Sequence, residues 1–164
     1  MPVFEALGTT IVHVGPAGAG QTVKAANQLV VAGTIQLVAE AIVLLEASGV
    51  DAAAGLRVLA RGLAGSAVLD RKGSSMLARE FTPGFRVDLH HKDLGIMLDA
   101  ARSSGAAVPL GAHVAQLMAA LRATGGGGLD HTALLRLTAL LSGRAEPPSG
   151  RVDPASGPAG QADV

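Results

Sequence analysis

Apolar residues recur at helical spacing along most of the chain, and glycines, prolines and single capping residues divide them into segments. The longest segment runs from Gln21 to Ser48, with Val23, Val30, Val31, Leu37, Val38, Ala41, Leu44 and Leu45 as its apolar positions and Gly49 as a natural residue beyond its end. At 1.5 Å per residue this is a helix of roughly 40 Å. Asp51 reads as the cap of a helix through Arg61, which Gly62 to Gly65 break. Ser66 caps a further helix from Ala67 to Arg71 or beyond, which Gly73 and the Ser74-Ser75 pair weaken. Asp88 reads as the cap of a helix through Ala101, apolar at Leu89, Ile96, Met97 and Ala100, with Gly105 just past its end. Pro109 opens the next, with Val114, Leu117, Met118 and Leu121 repeating at helical spacing. The four glycines from Gly125 read as a flexible hinge, and Asp130 as the cap of a last helix carrying Leu134, Leu135, Leu137, Leu140 and Leu141.

Two ends break the pattern. Pro2 to Gly8 suits one short helix, and Thr9 to Val14 is a β-branched run that predicts a single buried strand. A lone strand needs partners, either on another chain or in a larger domain to which residues 1–14 form the end; the second reading is preferred. Residues 143–164 are rich in Pro, Gly, Ser and Ala, and a disordered tail is expected there. The expected architecture is therefore all-α: a helical domain over residues 15–142 around one long helix, with a single leftover N-terminal strand.

Composition narrows the function classes. The 164 residues carry 13 basic and 13 acidic side chains, so nothing draws the chain to nucleic acid or an anionic membrane. Hydrophobic residues make up 49% of the sequence, yet Trp and Tyr are absent, so the core must be Ala, Leu and Val between close helices. Without cysteine there are no disulfides and no thiolate chemistry. Lys24, Asn27, Gln28, Gln36 and Glu40 interrupt the long helix too often for a bilayer span, so a buried helix of a cytoplasmic protein is expected.

Lys24, Asn27 and Gln28 stand at i, i+3 and i+4 and share one face of the long helix at its start. One ammonium with two amides suits a small anionic or carbonyl-bearing substrate. The other reading is a lysine that coats the end of an apolar helix, and the residues alone leave both open. The Gly15, Gly18 and Gly20 spacing departs from the dinucleotide fingerprint, and these glycines read better as a chain leaving one domain for the next. In Asp88-Leu89-His90-His91-Lys92-Asp93-Leu94, Asp88 and Lys92 are placed as an i, i+4 ion pair and the histidines as solvent-facing, while zinc ligation is disfavoured by their divergent directions. Arg57, Arg61, Arg71 and Lys72 read as a solvated face. The Phe81 to Phe85 segment, with its Pro-Gly turn, predicts an ordered loop anchored by its aromatic ends.

Gly15 to Gln28, Arg61 to Asp70 and Phe81 to Leu94, in that order, resemble the C-terminal domain of the β-hydroxyacid dehydrogenase family, to which 6-phosphogluconate dehydrogenase also belongs. The resemblance covers about residues 1 to 142. It implies an NAD- or NADP-dependent oxidoreductase acting on a small hydroxy or oxo acid, with the cofactor bound mainly by an N-terminal Rossmann domain that is not found here. It further implies Lys24 as the catalytic proton donor, Asn27 and, beside it, Gln28 as substrate-binding residues, and Lys92 as a residue lining the cofactor site. Gln28 replaces a second Asn of many relatives and resembles the branch that reduces tartronate semialdehyde (2-hydroxy-3-oxopropanoate) to glycerate. A homodimer or homotetramer is expected. The alternative is an inactive helical oligomerisation fragment of such an enzyme.

Overall fold

The computed structural model describes residues 2–144, so the greater part of the expected tail, from residue 145 onward, lies outside the described residues. Seven α-helices are present among them: α1 (Pro2–Leu7), α2 (Ala19–Ala47), α3 (Ala52–Arg61), α4 (Ala67–Leu77), α5 (Val87–Ser104), α6 (Pro109–Ala123) and α7 (Leu134–Leu141), with short 3-10 turns at Gly126–Gly128 and His131–Ala133. The domain is all-α, as the periodicity predicts. The strand is the exception. Residues 10–14 form no regular element, because a strand exists only through a ladder and nothing among the described residues pairs with them.

Helix α2 is the axis of the domain and packs against α3, α4, α5, α6 and α7. Ala32, Ile35, Ala39 and Ile42 are fully buried along it, at the i, i+3, i+4 spacing that makes a continuous stripe. They meet Met76, Leu94, Met118, Leu121, Leu134 and Leu135 in one apolar core. The helix is long and apolar enough to cross a membrane, but its buried face is occupied by the other helices of the domain.

Caps set the element boundaries. Gly49 adopts a left-handed φ of 70° after α2, a conformation that costs glycine nothing, which explains the helix stop at that position. Asp51 accepts from the backbone amides of Ala53 and Ala54, and Ser66 from that of Leu69, as their positions before apolar runs predict. Asp88 does not cap α5. Arg86 occupies that position, and Asp88 lies in the first turn, where its carboxylate pairs with Arg122 of α6. Helix α4 also runs unbroken through Gly73, which is buried facing Leu56 of α3.

The four-glycine segment is a packed turn rather than a free hinge. A Cβ on Gly126 would lie 2.6 Å from Leu121 Cδ1 and 2.9 Å from the Leu121 carbonyl oxygen, and one on Gly127 would lie 2.6 Å from Asp88 Oδ1. Gly126 and Gly127 are needed for close approach and Gly125 for its left-handed φ of 88°, which composition alone does not distinguish from flexibility.

Candidate functional site

Where α2 begins, it crosses α5, and a cleft of about 190 Å³ opens between them, lined by Gln21, Lys24, Ala25, Gln28, Lys92, Asp93 and Ile96. The structure thus brings Lys24, Gln28 and Lys92 to one cleft. Asn27 is not among its lining residues; its exposed amide donates instead to Gln28 Oε1 at 3.2 Å.

Asp93 is the group that sequence reasoning missed. It is buried, and its two carboxylate oxygens divide their work: Oδ2 accepts from Gln28 Nε2 at 2.8 Å and Oδ1 pairs with Lys92 Nζ at 2.8 Å. Burial alone would raise its pKa, but the hydrogen bonds from Lys92 and Gln28 and the charges of Lys92 and Lys24 outweigh it, and the carboxyl is held below its ordinary range. The cleft therefore presents two exposed lysines around one buried carboxylate. Lys92 pairs with its neighbour Asp93 rather than with Asp88, whose partner is Arg122.

Beneath the cleft lies a second polar layer. His90 is fully buried rather than solvent-facing, with Nε2 at 3.1 Å from the backbone carbonyl of Gln28 and Nδ1 at 2.9 Å from Nδ1 of His131. A carbonyl can only accept, so His90 carries its proton on Nε2; its bare Nδ1 then accepts from Nδ1–H of His131. The contact between the two Nδ1 atoms holds one proton, which in a pair of neutral rings belongs to His131. Burial agrees with the geometry: it lowers the pKa of His90 and holds that of His131 at about 4, leaving both rings uncharged at neutral pH. Asp130 Oδ1 lies 3.8 Å from His131 Nε2 and favours the cation, but burial of the imidazole is the larger effect. Phe85 packs edge-on against both rings, with centroids 5.5 and 5.6 Å away.

Asp130 fixes this layer to the loop before α5. Its Oδ2 accepts from the backbone amides of Gly84 and Phe85, and its Oδ1 from Thr132 N and Oγ1; Lys72 Nζ lies 3.1 Å from Oδ2. Those donors outweigh burial and hold its carboxyl far below the ordinary range. Lys72 is thus an internal partner and not part of a solvated face. The loop from Phe81 is ordered as its aromatic ends predict, though it shapes the support of the cleft and not its lining.

The face assignment of α5 explains what was hidden. Its buried positions are Val87, His90, Asp93, Leu94, Met97 and Ala101, whereas Leu89 and Ile96 are exposed. Counting back from Leu94, Met97 and Ala101 in steps of three and four reaches His90 and Val87, so a polar residue in a core register was the available signal.

Comparison with known proteins places these residues in a family. Residues 18–138 match the family described as the NAD-binding domain of NADP-dependent 3-hydroxyisobutyrate dehydrogenase. The 2-hydroxy-3-oxopropionate reductase of Escherichia coli is 39% identical over 141 residues, covering 86% of this chain and 48% of that protein. The crystal structure of 3-hydroxyisobutyrate dehydrogenase from Salmonella typhimurium superposes with a TM-score of 0.78 at 26% identity, over 83% of this chain and 48% of that one. The Mycobacterium tuberculosis 3-hydroxyisobutyrate dehydrogenase solved with L-serine gives 0.72 at 34% identity, over 82% and 48%. The chain spans about half the length of the relatives it matches.

Proposed function

The chain belongs to the 3-hydroxyisobutyrate dehydrogenase family, and from that premise we propose that it forms the substrate-facing helical part of a cytoplasmic NAD- or NADP-dependent oxidoreductase that reduces 2-hydroxy-3-oxopropanoate to glycerate or acts on a closely related hydroxy acid. The observation that carries this reading is the convergence of Lys24, Lys92 and Gln28 on one cleft around the buried carboxylate of Asp93. Two cations against one anion leave the cleft one positive charge in excess, which suits a small carboxylate.

The cofactor fits this cleft only in part. At about 190 Å³ the space is below the roughly 300 Å³ of the smallest drug-sized pockets, so this chain offers one wall and a second, dinucleotide-binding part supplies the rest. Lys92, an exposed lining residue of the cleft, is the residue that this reading assigns to the cofactor. When bound, NADH or NADPH supplies the hydride. The chain's own residues supply charge and a proton: Lys24, as an ammonium, hydrogen-bonds the carbonyl oxygen, stabilises the negative charge that develops there and transfers its proton to the new hydroxyl. Asp93 lies close to both lysines and moderates their mutual repulsion. Asn27, one turn on from Lys24, contacts the substrate from outside the cleft lining.

A second reading, an association module, has its own observation. Val23, Val30, Leu37 and Leu44 are all about half exposed or more and recur every seven residues along α2, an apolar stripe left uncovered by the domain. The two readings are compatible, since a homodimer or homotetramer joined through α2 leaves the cleft on another face.

The test of the primary reading is an assay of the enzyme that carries this chain, with 2-hydroxy-3-oxopropanoate and 3-hydroxyisobutyrate each offered with both nicotinamide cofactors. The reading expects the former to be turned over with the higher kcat/KM. Failure to turn over either acid defeats it.

A further inference from the structure

Gln28 lines the cleft, but each of its polar groups is already engaged within the protein. Its Nε2 donates to Asp93 Oδ2 at 2.8 Å, its Oε1 accepts from Asn27 Nδ2 at 3.2 Å, and its backbone carbonyl accepts from His90 Nε2 at 3.1 Å. Asp93 is engaged at both oxygens, by Gln28 and Lys92. The result is a directed chain of donors, from Asn27 through Gln28 into Asp93, met from the other side by Lys92. Every link runs from an N–H to an oxygen, so the direction in which each amide faces is determined.

We propose that Asp93 is a positioning residue that orients the Gln28 amide and the Lys92 ammonium within the cleft, so that Gln28 braces the site and does not itself bind the acid. This rests on the dehydrogenase reading for what the site binds, but the bracing stands on the side-chain geometry alone. Two features make Asp93 suited to the task. It is buried while Lys92 is exposed, so the carboxylate is the fixed end of the ion pair and the lysine the mobile one. It also joins residues 65 apart in sequence, tying the start of α2 to α5 across the cleft. The charged or titratable groups around it are Lys92, Lys24 and His90, the last neutral and turned toward the Gln28 carbonyl.

A positioning role and a purely electrostatic one predict opposite signs. If Asp93 acts only as a charge, removing it should tighten binding of a carboxylate ligand, because a nearby anion repels another. If it positions, Asp93→Asn weakens binding despite the more favourable charge, since the new amide sets a donor against Gln28 or Lys92. The double variant Gln28→Glu with Asp93→Asn reverses the polarity of the central bond and restores it. The amide introduced at position 93 donates to the carboxylate introduced at position 28 and accepts from Lys92 through its own oxygen, and the total charge is unchanged.

The experiment reads side-chain amide NMR on the 164-residue chain and D-glycerate binding on the enzyme that carries it. The expected result is a hydrogen-bonded, slowly exchanging Gln28 amide in the native protein, its loss in Asp93→Asn, and a protected amide at position 93 in the double variant. D-glycerate affinity should fall about tenfold or more in Asp93→Asn, the scale of a lost charge-assisted hydrogen bond, and recover in the double variant. A freely exchanging Gln28 amide in the native protein overturns the proposal, as does tighter binding by Asp93→Asn or a double variant no better than the single one. A native enzyme that binds no D-glycerate while Gln28 keeps its protected amide supports the bracing and defeats the dehydrogenase reading instead.

Discussion

At the scale of single residues, the buried carboxylate of Asp130 carries more of the local structure than its place before the last helix suggests. It accepts from Gly84, Phe85, Thr132 and Lys72 at once, and Asp130→Ala would leave buried donors without an acceptor. We expect a loss of about 3–5 kcal/mol in unfolding free energy, the scale for breaking one side of a buried charged network, measured by urea denaturation. A loss below about 1 kcal/mol would mean water replaces the carboxylate readily. Gly126 offers a smaller test of the same kind. Gly126→Ala places a methyl against the Leu121 carbonyl as well as its side chain, and overpacking should cost about 1–3 kcal/mol; a neutral result would restore the hinge reading of the glycine run.

At the scale of elements, the sequence was most legible where a local rule decides the outcome. Asp51, Ser66, Pro109 and Gly49 mark helix boundaries through their own backbone and side-chain chemistry, and the structure places each boundary there. It was less legible where tertiary packing decides. On α5 the apolar Leu89 and Ile96 lie outside while His90 and Asp93 lie inside, because buried polar residues whose hydrogen bonds are satisfied can occupy a core register. On α2 the apolar face is wider than the core needs, so Val23, Val30, Leu37 and Leu44 share the apolar pattern of the helix and yet are exposed. That excess motivates a prediction at this scale: if copies associate through the stripe, Leu37→Glu shifts the protein to a smaller species in sedimentation while its helical signal is retained. A native chain that is already monomeric at assay concentrations contradicts association through α2.

For the whole molecule, the buried histidine pair makes the fold sensitive to acid. His131 titrates near 6.5 when unfolded and at about 4 when folded, so the unfolded chain binds the proton first. Its contribution is complete above pH 6.5 and is lost as pH falls toward 4, by roughly 3 kcal/mol for such a shift. His90 is lowered in the same sense, and Asp130, depressed below its ordinary value, loses its contribution at still lower pH. We expect Tm to be level from about pH 7 to 8 and to drop between 6.5 and 4, with His131→Phe flattening the upper part of that drop. A Tm unchanged across this window would show that the rings are not held neutral. The central claim concerns the cleft that this support holds, namely that Lys24 is the proton donor and Lys92 serves the cofactor. Its most direct measurement is the steady-state kinetics of Lys24→Ala beside Lys92→Ala in the enzyme that carries this chain. The account predicts that Lys24→Ala lowers kcat about 10²-fold or more, the scale of general acid catalysis, with little change in cofactor affinity, and that Lys92→Ala chiefly weakens the cofactor. Retention of most of kcat by Lys24→Ala, with only a raised KM, would contradict it and reduce Lys24 to a substrate-binding charge.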